Sequence, residues 1–119
     1  MKLPNIFAKD AVPVFHPAGS AIFETGQARD VMFIVEEGEV EIKVGDKIVE
    51  TVGADGFFGE MALIDGGVRS ASAFAKTDYK LLPINEKQFI FMVEETPFFA
   101  LQVMRTLSAR LRQVDRQMK

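Results

Sequence analysis

The chain contains no cysteine, no tryptophan and a single histidine, and it has no long hydrophobic run. The absence of cysteine excludes a disulfide scaffold and a thiolate nucleophile, and it fits a reducing compartment. No segment approaches the ~20 apolar residues of a membrane-spanning helix. The first residues include Pro4, Asn5 and Asp10, which interrupt the apolar core that a signal peptide needs. We therefore expect a soluble, cytoplasmic protein without a membrane span.

Charge is distributed unevenly along the 119 residues, whose formal net charge is −3. Residues 98–119 carry five basic side chains against Asp115 alone, so the rest of the chain is acidic. An acidic body does not predict nucleic-acid binding, and a solvated helix face accounts for the basic stretch. The length predicts one domain, residues 1–119, that can bury roughly two-thirds of its unfolded surface without disulfides or metals.

Short strands separated by turn residues dominate residues 12–84. In EVEIKV, residues 39–44, apolar and charged residues alternate strictly, which indicates a strand with one wet face. Gly45-Asp46 predicts a two-residue hairpin turn. Pro83 indicates either that the run 79–84 lies near the edge of the sheet or that Pro83 is near the end of its strand. The pattern favours a mainly β fold, an antiparallel jelly-roll barrel, over alternating βαβ units. The predicted strands are 21–24, 31–36, 39–44, 47–52, 70–75 and 79–84.

Two helices are predicted after the barrel, in residues 85–119. Asn85 is a suitable N-cap for a helix from Glu86 to about Glu94, with Gln88 at its third position. Thr96-Pro97 then begins a second helix that continues to the end of the chain.

Apolar residues in this last helix recur at alternating spacings of four and three, the a/d seam of a coiled coil. They are Ala100, Met104, Leu107, Leu111, Val114 and Met118. The other explanation is a helix packed on its own barrel, which Phe98, Phe99, Leu101 and Val103 suit. A small barrel covers only the first turns of this helix. We therefore expect residues 104–118 to pair with the same residues of a second chain in a homodimer.

Glu60 and Arg69 are two charges in the most apolar, glycine-rich turn of the chain, FFGEMALIDGGVRSA. A buried charge without a partner costs several kcal/mol, so both need one. They could pair with each other across the loop or lie at its rim in water. A third explanation is a ligand that supplies an anion to Arg69 and a hydroxyl donor to Glu60.

The local sequence favours the ligand. A short helix predicted over Glu60–Ile64, bounded by Asp65-Gly66-Gly67, would direct free N–H groups toward an anion. The small residues Gly59 and Ala62 would let a phosphate approach the backbone, and Ser70 adds a hydroxyl donor beside Arg69. One anion and one hydroxyl in an apolar lining describe a nucleotide monophosphate.

The segment FGEMALIDGGVRSASA also resembles the phosphate-binding cassette of cyclic-nucleotide-binding domains, whose pattern is F-G-E-x-A-L, a loop, then R-[AST]-A-[ST]. The five residues between Leu63 and Arg69 match the loop length of protein kinase A regulatory subunits and cyclic-nucleotide-gated channels. The resemblance extends over roughly residues 12–116. The matching positions are Phe58, Gly59, Glu60, Ala62, Leu63, Arg69, Ser70, Ala71 and Ser72.

This resemblance implies that Arg69 holds the cyclic phosphate, Glu60 the ribose 2′-hydroxyl, and backbone N–H groups near Gly59 and Ala62 complete the cradle. The last helix is similar to the dimerisation helix of the catabolite activator family, where Arg110 matches an arginine near the pocket. Val114 stands where that family's activator has a base-contacting threonine. The expected ligand-binding residues are Gly59, Glu60, Met61, Ala62, Arg69, Ser70 and Arg110.

The resemblance implies cyclic AMP or cyclic GMP as ligand. Threonine at position 70 tends to accompany cyclic GMP and alanine cyclic AMP, so serine is ambiguous, and cyclic AMP is favoured here. The expected function is a sensor whose last helix signals to an unidentified downstream protein. The chain contains no helix-turn-helix, kinase or channel segment, so it is expected to be either a stand-alone module or a piece of a larger protein.

Two other functions are considered. A cupin-like enzyme would need clustered histidines for its metal, and His16 alone does not supply them, so neither catalysis nor a metal cofactor is expected. A module of the same fold that dimerises or docks without a nucleotide is the second alternative. The complete set of Glu60, Arg69 and Ser70 speaks against it.

Overall fold

The computed structural model describes residues 13–26, 31–64 and 71–117, which form two four-stranded antiparallel sheets and three helices. The first sheet has the order β1-β8-β3-β6 and the second β2-β7-β4-β5. The jelly-roll prediction is confirmed, although the two sheets face each other instead of closing into one continuous barrel. The strands are β1 Val14–His16, β2 Ala21–Phe23, β3 Val31–Glu37, β4 Val40–Val44, β5 Lys47–Val52, β6 Phe57–Phe58, β7 Ser72–Ala75 and β8 Tyr79–Asn85.

The three helices are α1 Met61–Ile64, α2 Glu86–Glu95 and α3 Pro97–Gln117. The N-cap prediction for α2 is confirmed. The Asn85 side chain accepts from the Gln88 N–H at 2.8 Å, and the Gln88 side chain accepts from the Asn85 N–H at 2.9 Å. This reciprocal capping box satisfies two backbone donors that the first turn would otherwise leave unpaired.

The first sheet is buried on both of its faces. One face meets the second sheet, where Val35 and Leu81 pack with Val40 and Ala73. The opposite face meets α2 and α3, and the core there consists of Met32, Ile34, Phe57, Leu82, Ile84, Met92, Phe99 and Val103. Burial on both faces explains the unbroken apolar runs at residues 31–35 of β3 and 81–84 of β8.

The predicted strands occur within two residues of their expected ends, but β1 and β6 were not predicted. With three and two residues, they are too short to show a period. Pro83 lies in β8, an interior strand of the first sheet. It follows the residues of β8 that pair with β1, so it is near the end of the strand. In β4 burial decreases along the strand, and Val44 is exposed because it lies at the hairpin tip.

Gly38 joins β3 to β4 with a φ of +90°, which L side chains rarely adopt. A Cβ at this position would lie 2.4 Å from the Tyr79 Cβ and 2.5 Å from the Asp78 carbonyl oxygen. Glycine is therefore required here, both for its conformation and for the close approach of β8.

Helix α3 packs on the barrel with only part of the face that the sequence indicated. Phe99 and Val103 are buried, whereas Phe98 and Leu101, which were also expected to pack, are exposed. Residues one apart differ by 100° around a helix, so neighbouring phenylalanines cannot share a face. Of the predicted seam, Leu107 packs against the core, while Met104 and Leu111 face outward.

Candidate functional site

Glu60 lies in a turn between β6 and α1. Gly59 has a φ of +75°, and this left-handed residue turns the chain out of the strand before the helix begins. The predicted helix started at Glu60, but the structure begins α1 at Met61, because Glu60 precedes the first helical residue and its carbonyl accepts from the Leu63 N–H at 3.0 Å. Glu60 is only 8% exposed, so its carboxylate is not at a wet rim.

The partner of Glu60 in the structure is Arg110, which comes from α3, 50 residues further along the chain. Arg110 Nη1 donates to Glu60 Oε1 at 3.0 Å. Among the described residues only Arg110 bonds to this carboxylate, and it does so through Oε1. At the second oxygen, Oε2, the described residues place no hydrogen-bond donor, and a carboxylate oxygen can accept one.

The Arg110 guanidinium has three further contacts. Nε donates to both carboxylate oxygens of Glu50 on β5, at 2.8 and 3.1 Å, and Nη2 donates to the Phe57 carbonyl oxygen. The guanidinium carbon lies 4.8 Å from the centroid of the Phe57 ring, within the range of a cation–π interaction. One side chain thus connects α3 to β5, β6 and the turn before α1.

The local charge is one guanidinium against two carboxylates. Both carboxylates are bonded to the same cation, and Glu60 is the more buried of the two. Charge-assisted hydrogen bonds of this kind are about twice as strong as neutral ones, and a half-buried location protects them from screening. The cluster therefore holds α3 on the barrel and leaves one negative charge in excess.

Two open grooves border this cluster. A groove of about 560 Å³ separates β4 and β5 from α3, and a second of about 300 Å³ follows the turn between β5 and β6. Glu50 and Arg110 line both grooves. The larger one has a mixed lining of apolar and charged or polar residues: Val44, Lys47, Val49, Glu50, Thr106, Ala109, Arg110 and Gln113.

The structure brings together four of the seven predicted site residues, in the order Gly59, Glu60 and Met61 along the chain with Arg110 across from them. Met61 is exposed. Ala62 is the second residue of α1. Arg69 and Ser70 lie outside the described residues, so their predicted phosphate contacts stay predictions.

Sequence reasoning missed Glu50 and Phe57 as partners of Arg110. Glu50 belongs to KIVETV, where a charged residue in a half-exposed strand indicates only a solvated face. Arg110 and Glu50 are 60 residues apart, and no local period relates them. The only available signal was the resemblance that placed Arg110 near the pocket.

Within the described ranges, no group of three or more His, Cys, Asp or Glu residues is arranged to hold a metal ion. The helices described in the structure are too short or too polar for any of them to cross a bilayer.

A family model for the cyclic nucleotide-binding domain matches residues 13–96. A cyclic nucleotide-gated potassium channel of Rhizobium etli is 39% identical over 98 residues, which cover 82% of this chain and 27% of the channel. The cyclic AMP receptor protein of Thermus thermophilus is 31% identical over 105 residues, which cover 84% of this chain and 49% of the receptor.

A solved structure of a related protein shows that the fold is shared as well. The crystal structure of the Thermus thermophilus catabolite activator protein superposes with a TM-score of 0.82 at 28% identity, over 96% of this chain and 56% of that one. The chain thus spans between about a quarter and just over half of the length of these relatives.

Proposed function

The chain belongs to the cyclic nucleotide-binding domain family, and from this premise we propose that it is a regulatory module that binds cyclic AMP in preference to cyclic GMP. It is proposed to act by binding, without catalysis. Its proposed signal is the position of α3, read by a downstream protein or across a homodimer. A cytoplasmic location is part of the same proposal.

The observation that carries the proposal is the environment of Glu60. Its carboxylate is buried, one oxygen is bonded to Arg110, and the other accepts from no described residue. A ribose 2′-hydroxyl could donate to Oε2 without displacing Arg110 from Oε1. The ligand, Glu60, Arg110 and α3 would then form one continuous chain of contacts.

The phosphate is proposed to be held by residues of the cassette motif. Arg69 would supply a bidentate guanidinium and Ser70 a hydroxyl, and the backbone N–H groups near Gly59 and Ala62 would complete the cradle. Support for these roles comes from the cassette motif, since each residue stands at its matching position in the sequence.

The base is proposed to point toward the groove between β5 and α3. Val44, Val49 and Ala109 supply apolar surface for a planar ring, and Arg110 is among the lining residues of the groove. Ser70 does not distinguish the two purines, and the preference for cyclic AMP is supported by the similarity to a receptor whose name includes that nucleotide.

Helix α3 is the proposed output element. Arg110 ties it to Glu60, so a ligand that bonds to Glu60 changes the energy of the contact that holds the helix. A ligand with different affinities for two helix positions shifts the population toward the position it binds better.

The wild-type chain is expected to be stabilised by cyclic AMP, because a ligand that binds only the native state adds about 2.7 kcal/mol at 100 times its dissociation constant. Thermal melting with cyclic AMP, cyclic GMP and 5′-AMP measures this, and 5′-AMP, which lacks the cyclic phosphate, is the matched control. Equal melting temperatures with all three and without ligand would contradict nucleotide binding and favour a docking module of the same fold.

A labelled variant tests the output role. Because the chain has no native cysteine, cysteines that replace Ile48 on β5 and Arg112 on α3, both exposed and outside the two grooves, can carry spin labels. Saturation with cyclic AMP is expected to change the distance distribution between the labels. An unchanged distribution with proven binding would remove α3 as the output element and leave the binding proposal intact.

A homodimer through the outward face of α3 is the second structural proposal. Leu111 is 71% exposed, and Leu111→Asp is expected to convert a dimer to a monomer, because a charge in an apolar helix seam is costly. Light scattering coupled to gel filtration measures the mass. Phe15 on β1 is equally exposed at 71%, so Phe15→Asp is the matched control and should leave the dimer intact.

Leu107 is unsuitable for this test because it packs against the core, so Leu107→Asp would perturb the fold. A wild-type monomer at all concentrations, or a Leu111→Asp variant that remains a dimer, would contradict the proposed interface.

A further inference from the structure

Glu50 is a charged residue at the site that the cassette motif does not include. It lies on β5, and both of its carboxylate oxygens accept from Arg110 Nε, at 2.8 and 3.1 Å. Its side chain is about one-third exposed, so this contact is less buried than that of Glu60. The cassette motif gives this carboxylate no role, although it bonds directly to Arg110.

We propose that Glu50 is a positioning residue that strengthens the acceptance of the nucleotide's 2′-hydroxyl by Glu60. It acts through Arg110 and does not touch the hydroxyl itself. This inference rests on the proposed function, because it concerns the same nucleotide and the same Glu60 oxygen.

The first reason is geometric. The guanidinium is planar and rigid, so fixing Nε determines where Nη1 and Nη2 point. With Nε held by Glu50 and the plane resting on the Phe57 ring, Nη1 is directed at Glu60 Oε1. Arg110 in turn orients the Glu60 carboxylate through Oε1, and Oε2 accepts from no described residue.

The second reason is electrostatic. One guanidinium serves two carboxylates, so its positive charge is shared between Glu50 and Glu60. If Glu50 were neutral, the whole charge would act on Glu60, and a neutralised carboxylate is a weaker acceptor for a hydroxyl donor. Loss of Glu50 therefore weakens binding of the hydroxyl in two ways: the Glu60 carboxylate is less well oriented, and it is a weaker hydrogen-bond acceptor.

Other charged groups near Glu50 do not reproduce this arrangement. Lys47 lines the same groove, at the hairpin end of β5. Among the described residues, the salt bridges of Glu50 and Glu60 are both to Arg110. The described contacts that link Glu50 to Glu60 therefore run through the guanidinium between them.

The test measures how strongly the protein prefers cyclic AMP to 2′-deoxy cyclic AMP, as the ratio of two dissociation constants from calorimetry. The wild type is expected to prefer the hydroxyl by about 10- to 100-fold, the range for a hydrogen bond to a charged group. Glu60→Ala should bring the ratio near one. Glu50→Gln, which keeps the shape and removes the charge, should lower the ratio about 3- to 10-fold, as expected within one ion-pair network.

Two further variants show whether Glu50 acts through Arg110. In an Arg110→Gln background, which removes both the charge and the planar guanidinium, Glu50→Gln should leave the ratio unchanged. Glu37→Gln makes the same chemical change on an exposed residue of β3 and should leave the wild-type ratio intact.

The outcomes separate this inference from the function on which it rests. If the wild type binds neither nucleotide, the proposed function fails and the inference fails with it. If cyclic AMP binds and Glu50→Gln weakens both nucleotides equally, the inference is wrong while the function stands. A further fall of the ratio when Glu50→Gln is added to Arg110→Gln would show that Glu50 acts without Arg110, and it would also overturn the proposal.

Discussion

Arg69→Ala is expected to weaken cyclic AMP binding by about 2–5 kcal/mol, because the variant leaves the bound phosphate without its charged partner. A bidentate guanidinium matches the geometry of two phosphate oxygens, and the apolar surroundings in the sequence, from Phe57 to Phe74, limit the water that could replace it. Titration calorimetry on the wild type and the variant measures the difference directly.

The matched control is Arg112→Ala. Arg112 is exposed on α3, where its Nη1 donates to the Ser108 hydroxyl at 2.9 Å, and its removal changes the net charge by the same amount. It should alter the affinity little, and less at higher salt. Equal affinities for the wild type and Arg69→Ala, or equal losses in the two arginine variants, would contradict a specific phosphate contact at position 69.

Phe99→Ala is expected to lower the free energy of unfolding by about 3–5 kcal/mol, because it creates a cavity where α3 meets the first sheet. Phe99 is 1% exposed and packs edge-on against Phe89, with ring centroids 5.7 Å apart. Urea denaturation followed by circular dichroism gives the free energy, and an unchanged m-value would show that the transition is comparable in both proteins.

Phe98→Ala is the matched control, since it removes the same side chain one residue away. Phe98 is 54% exposed, and its described ring contact is with Arg105, 5.5 Å from the centroid. Its loss should cost less than about 1 kcal/mol. Similar losses for the two phenylalanines would mean that α3 packs on the barrel with a different face from the one described.

The strands that could be predicted are those long enough to show a pattern. Residues 39–44 alternate, and Gly45-Asp46 marks their turn, so β4, β5 and the hairpin between them follow from local rules. The two-residue strand β6 could not be predicted, because its pairing with Phe33 and Ile34 of β3 is the only thing that makes it a strand.

The candidate site was predictable only in part, because some of its contacts join distant parts of the chain. The types and spacing of residues in the cassette are local properties, so Glu60 could be identified as a buried carboxylate that requires a partner. Its protein partner in the structure could not, because Arg110 lies 50 residues away on another element and no local spacing relates the two.

Elements with local causes follow from the order of the amino acids: the capping box at Asn85, the start of α3 at Pro97, the hairpin at Gly45 and the residues of the cassette. The face of α3 that meets the sheet, and with it the contact of Arg110 with Glu50 and Glu60, depends on the folded arrangement. This is because a helix with apolar residues on several faces has more than one way to pack. The choice among them depends on the shape and charge of a surface formed by distant parts of the chain.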